Sequence, residues 1–144
     1  MKKKGILALL TVGLTMVACE STNDASDTFS CEVSRTSTTV SVTENVPGLG
    51  SYTSTVTSRV DDYGYDYVTI ESESWFVNSD MARQSCNSWK EEAAHWLDGS
   101  MTVSCSGNTV FVSEYDEGSL NSHERNFEEM CADDRADYES GRMY

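Results

Sequence analysis

Near Ser79 the hydrophobic period of this chain changes from two to between three and four. Upstream, Phe29, Cys31 and Val33 alternate with Ser30, Glu32 and Ser34, and Val40 and Val42 resume the alternation after a polar turn at Arg35 to Ser37. Alternation of this kind gives a strand one apolar and one polar face. Val46-Pro47-Gly48-Leu49-Gly50 reads as a turn, and two further strands are expected over Ser51 to Val60 and Tyr65 to about Trp75, joined at Asp61-Asp62-Tyr63-Gly64. Thr, Ser, Val and Tyr dominate them, the composition of a half-exposed antiparallel sheet.

Downstream, Ala82, Cys86, Trp89, Ala93 and Trp96 form the stripe of an amphipathic helix. Ser79 is placed to cap its start, Asp80 suits the positive end of the dipole and Gly99 marks its stop. A hairpin follows, with Met101, Val103 and Cys105 inward, Gly107-Asn108 at the turn and Val110 and Val112 on the return. A second helix is expected from Asn121 or Ser122, with Glu124 placed for a capping box and Phe127, Cys131 and Tyr138 on one side. Glu128, Glu129, Asp133 and Asp134 read as its wet face, and the polar stretch from Asp133 to Tyr144 as fraying. The fold class is therefore α+β: an antiparallel sheet of about five to six strands with two helices on one face, in the order strands, helix, hairpin, helix. Residues 28–138 make one domain and residues 139–144 a frayed tail.

The first 18 residues have a separate logic. Lys2, Lys3 and Lys4 precede an apolar run from Ile6 to Val17, the length of a signal-peptide core and short of the ~20 residues that span a bilayer. It ends Met16-Val17-Ala18-Cys19, which resembles the lipobox of bacterial lipoproteins. The resemblance implies cleavage after Ala18 and a diacylglyceryl group on the Cys19 thiol; a single acyl chain would hold only marginally. Glu20 to Asp27 has no apolar residue larger than Ala and reads as a tether, so residues 19–27 are a lipidated linker.

Removing Cys19 from five cysteines leaves Cys31, Cys86, Cys105 and Cys131, an even set in an exported chain, which points to two disulfides. Cys86 and Cys105 lie on inward faces of consecutive elements, so the expected pairing is Cys86 with Cys105 and Cys31 with Cys131. No Cys-x-x-Cys spacing supports a metal knuckle or redox pair.

Three of the ten basic residues leave with the signal, so seven face 24 acidic ones, a formal balance of −17. Such a surface repels nucleic acid and anionic headgroups. The expected partners are the membrane, through the lipid on Cys19, and an envelope protein or cationic partner, with the chain itself a monomer. His95 and His123 have no nucleophile placed beside them by any motif, so neither catalysis, a cofactor nor a metal is expected. The strongest candidate ligand loop is Asp61-Asp62-Tyr63-Gly64-Tyr65-Asp66-Tyr67, where Asp61, Asp62 and Asp66 offer oxygens and Tyr63, Tyr65 and Tyr67 offer rings to a sugar or peptide. Its spacing is not that of a calcium loop, and a plain hairpin turn accounts for it.

The order of elements resembles the YehR-like family of small bacterial lipoproteins. The likeness is carried by Met16 to Cys19, by Thr28-Phe29-Ser30-Cys31 opening the first strand, and by the layout across Thr28 to Tyr138. It differs in its longer strand region, its second cysteine pair and its scarcity of lysine. The resemblance implies a cell-envelope lipoprotein of undefined activity, without catalytic residues to carry over. Glu20, in place of the Asp associated with inner-membrane retention, favours the outer membrane where the host has one. The competing expectation is an extracellular glycan-binding or hydrolytic protein using the loop 61–67.

Overall fold

The computed structural model describes residues 28–96 and 99–143; the signal, Cys19 and the tether lie outside them. Six strands form one antiparallel sheet: β1 (Ser30–Arg35), β2 (Thr39–Val46), β3 (Gly50–Val60), β4 (Asp66–Phe76), β5 (Met101–Ser106) and β6 (Thr109–Asp116), in spatial order β1-β2-β3-β4-β6-β5. Among the described residues two helices, α1 (Ser79–Ala94) and α2 (Leu120–Glu139), complete the α+β fold. The chain leaves β4 through α1, returns on the outer strand β5, and slots β6 between β5 and β4.

Register explains why one face is buried. Val42 lies opposite Val33 and Ser54, Val56 opposite Val40 and Ile70, and Val112 opposite Ser72 and Val103. Because side chains alternate along each strand, this set and its neighbours two residues away share one face. That face carries the core, including Val40, Val42, Val56, Val68, Ile70, Phe76 and Val110, and both helices pack on it. α1 contributes Ala82, Cys86 and Trp89, and α2 contributes Phe127 and Met130. Leu49 folds in from the Pro47 turn, which Leu49 N closes on Val46 O at 2.9 Å. Gly50, at φ 147, starts β3 where a Cβ would stand 2.2 Å from the Trp75 carbonyl oxygen.

Both helix starts differ from expectation. Asn78 caps α1, its side chain accepting from Asp80 N at 2.8 Å, so Ser79 is already inside the helix. An amide oxygen one residue earlier reaches the same orphan donors. α1 ends at Ala94, ahead of Gly99, and Trp96 packs against the core from beyond the helix. Ser119 caps α2 and forms the capping box with Ser122: Ser122 N donates to Ser119 Oγ at 3.2 Å and Ser119 N donates to Ser122 Oγ at 3.1 Å. Glu124 pairs instead with Arg35 of β1.

The tail expected to fray from Asp133 is ordered through Met143. α2 runs to Glu139, Asp134 is 2% exposed, Met143 is buried in the core, and Arg142 Nη2 lies 2.6 Å from Asp137 Oδ1. Spacing supplies the reason: Phe127, Met130 and Asp134 follow one another at steps of three and four, so the helix carries Asp134 onto its buried stripe.

The structure joins Cys31 to Cys131 and Cys86 to Cys105. The first bond ties β1 to α2 across 100 residues of chain; the second ties α1 to the edge strand β5 across 19. Cys105 itself is exposed, near the end of the edge strand β5.

Candidate functional site

The loop at 61–67 is organised by its own backbone. Asp61 Oδ1 accepts from Tyr63 N and Tyr65 N, both at 2.8 Å, and Asp61 N donates to Tyr65 O at 3.0 Å. This is an Asx-type turn, with the Asp61 carboxylate engaged by main-chain amides rather than turned toward a ligand. Asp62 and Asp66 are exposed, as are Tyr63 and Tyr65, which are 87% and 72% accessible. Tyr67 belongs to β4, where its ring tilts against Tyr115 at 6.0 Å. Tyr63 and Tyr65 are thus the solvent-facing rings of the loop, and Tyr67 is packed on the sheet. Among the described residues, no group of three or more His, Cys, Asp or Glu side chains is arranged to hold a metal ion.

The histidines are far apart in role. His95 is exposed at the C-cap of α1, whereas His123 is buried in the first turn of α2 with Nε2 3.3 Å from Asp116 Oδ2. Cys86 and Cys131 are both oxidised. An oxidised sulfur cannot act as a nucleophile.

The sheet's second face is covered by no described element. It presents Ser and Thr from every strand but β1's centre: Ser41 and Thr43 on β2, Thr53, Thr55 and Thr57 on β3, Thr69 on β4, Ser113 on β6, and Thr102 and Ser104 on β5. Ser41 and Thr55 hydroxyls bond across strands at 3.1 Å. Over β4, β6 and β5 this face dips into a shallow cleft of about 420 Å³ lined by Thr53, Glu71, Glu73, Thr102, Ser104 and Phe111. Glu73 is the register partner of Phe111, and Glu71 of Ser113. Phe111 is 40% exposed, unusual for its type, and stands beside two solvated carboxylates.

A third constellation is hidden. Glu44 continues the inward parity of Val40 and Val42, is 1% exposed, and faces Asp134 of α2. With both groups written as anions, neither Glu44 oxygen has a hydrogen-bond donor among the described residues. Two buried carboxylates cannot both stay ionised, so one must carry a proton, and that proton turns their contact into a hydrogen bond. Burial, then the charge of Asp134 and the bond to it, push the Glu44 carboxyl from 4.5 up to about 8. Asp134 is also raised, by burial and by Asp137 and Asp133, while the bond from Glu44 lowers it. The two carboxyls therefore share one proton in a carboxyl–carboxylate hydrogen bond, with Glu44 as the strongly raised partner. Beside them, Tyr52 is pushed upward by burial and by Glu114 and Glu44, partly offset by its bonds to Ser54 and Ser72.

No family model matches the chain, and neither a curated protein nor a solved structure matches it. None of the described helices is long and apolar enough to cross a membrane.

Proposed function

We propose that this chain is a lipid-anchored, non-enzymatic module of the cell envelope that receives a cationic protein segment on the uncovered face of its sheet. The asymmetry of the fold carries the reading: both helices cover one face, and the other displays hydroxyls around an acidic, aromatic cleft. Glu71 and Glu73 supply charge to a Lys or Arg side chain, and the Phe111 ring beside them adds a cation–π surface. The balance of −17 for the processed chain steers a basic partner toward it. Residues Met16 to Cys19 support the anchor, as does the resemblance to YehR-like lipoproteins, and an oxidising envelope suits two disulfides. The glycan reading has less behind it, because Asp61 is consumed by its turn and Tyr67 lies with Tyr115.

The test is binding of a Lys/Arg-rich peptide to the soluble domain, with the affinity followed against salt. Glu71→Gln with Glu73→Gln should weaken it by roughly tenfold, as two partly screened ion pairs would. Phe111→Ser should weaken it too. Glu128→Gln with Glu129→Gln removes the same charge from the exposed side of α2 and should change little. Equal losses from both charge pairs would mean unspecific attraction and overturn the assignment of the face.

A further inference from the structure

Two links run side by side between the same strand pair and the same helix. Cys31 on β1 and Glu44 on β2 are register partners, and on α2 Cys131 and Asp134 stand one turn apart. The disulfide joins the first member of each pair, with Cα atoms 5.5 Å apart, and the carboxyl contact joins the second. Beyond Asp134 the helix is held by the Phe29–Tyr138 ring stack at 5.4 Å and by Met143 in the core. Phe29 lies where the chain enters the domain. The covalent bond thus fixes the helix at Cys131, and the stretch C-terminal to it is held by non-covalent contacts, among them the Glu44–Asp134 carboxyl contact, the Phe29–Tyr138 stack and Met143.

We propose that Cys31–Cys131 and Glu44–Asp134 form a proton-operated latch, in which loss of the shared proton unseats α2 beyond Cys131 while the disulfide keeps the helix tethered for reclosure. In opening, the Glu44 O–H gives its proton to a solvent base and both carboxyls become hydrated anions. In the closed state the two anions would face each other in a dry seam, which burial disfavours. The charged groups that push on the pair are Asp133 and Asp137 from α2, while Tyr52 of β3 neighbours Glu44 and is itself raised by the charges of Glu44 and of Glu114 from β6. Cys31 of β1 is disulfide-bonded and does not titrate. The arginines of this end are engaged elsewhere, Arg35 with Glu124, Arg135 over the Phe29 ring, and Arg142 with Asp137.

The sign follows from the protonation of the two states. Glu44 closed holds its proton up to about 8, whereas the opened group returns to its ordinary 4.5. The closed state is thus fully favoured below 4.5 and loses ground as pH rises, until its own proton is lost near 8. Across that window the opened fraction grows by up to about tenfold per pH unit and then levels off.

Amide hydrogen exchange on the intact oxidised domain, corrected for the intrinsic pH dependence of exchange, reads this directly. Protection in residues 132–143 should fall by several-fold to about tenfold per unit between pH 5.5 and 7.5, and should lie well below that of β3 and β4 throughout, since those strands open only with the whole domain. Glu44→Gln, whose amide still donates to Asp134, should flatten that profile, and Tyr52→Phe should leave it intact. Cys31→Ser with Cys131→Ser should extend the pH-dependent loss back toward Leu120. A flat profile in the wild-type chain, or an unchanged slope in Glu44→Gln, would overturn the latch. Carbon-13 titration of the wild-type Glu44 carboxyl decides the matter without any substitution: a midpoint near 8 is expected, and one near 4.5 would refute the proposal.

Discussion

The two disulfides close loops of very different length, and that difference fixes how much each stabilises the domain. Replacing Cys31 and Cys131 by Ser opens a loop spanning 100 residues, while replacing Cys86 and Cys105 opens one spanning 19. Chain entropy alone assigns about 4.7 kcal/mol to the first and about 3.2 kcal/mol to the second. Against a typical 5–15 kcal/mol for a whole domain, either loss is large. The location of the bonds widens the gap. Cys31–Cys131 joins the first strand to the last helix and stands beside the Glu44–Asp134 hydrogen bond, so its loss also loosens that second link between the sheet and α2. Cys86–Cys105 tethers an edge strand that also keeps its β6 ladder. Thermal unfolding followed by far-UV circular dichroism under non-reducing conditions is the assay. The 1.5 kcal/mol difference in loop entropy corresponds to roughly 6 °C for a domain of this size. Cys31→Ser/Cys131→Ser should melt lower by at least about that margin. Equal midpoints, or the reverse order, would show that constraint of the unfolded chain is not what these bonds supply.

Gly50→Ala should destabilise the domain by about 2 kcal/mol or more in urea titrations, because φ 147 is strained for any Cβ and that atom would meet the Trp75 carbonyl at 2.2 Å. Asn78→Ala should cost about 1 kcal/mol through loss of the α1 cap, whereas Ser79→Ala should be near neutral by the same measurement. Global stability should decline between pH 5 and 8 as the folded chain's hold on the Glu44 proton becomes a liability, and the Glu44→Gln chain should lose much of that slope in denaturant titrations at several pH values.

Strand parity and helix spacing made most of the architecture legible. Val40 and Val42 announced the inner face of β2, and Ala82, Cys86 and Trp89 announced that of α1, because apolar burial imposes those periods. The same reasoning placed the cysteines on elements that meet. What it missed lies where charge contradicts period. Val40, Val42, Glu44 and Val46 occupy one parity, as Phe127, Met130 and Asp134 occupy one helical stripe, yet a carboxyl is read as solvated because isolated burial is so unfavourable. Only the meeting of two such residues from elements 90 positions apart in sequence explains both. The insertion of β6 between β4 and β5 was equally hidden, since a hairpin's pattern does not say which of its strands docks. Nor did periodicity reveal the cleft: Glu71, Glu73 and Phe111 become neighbours through the β4–β6 register.

The central claim is that a lipid on Cys19 holds this disulfide-stapled module at the envelope, and intact-mass analysis of the N-terminal peptide from the membrane fraction tests it most directly. The expected result is a chain beginning at Cys19 with a diacylglyceryl group on its thiol, and an unprocessed or soluble product from Cys19→Ala. A mature chain beginning elsewhere, or an unmodified Cys19, would contradict it.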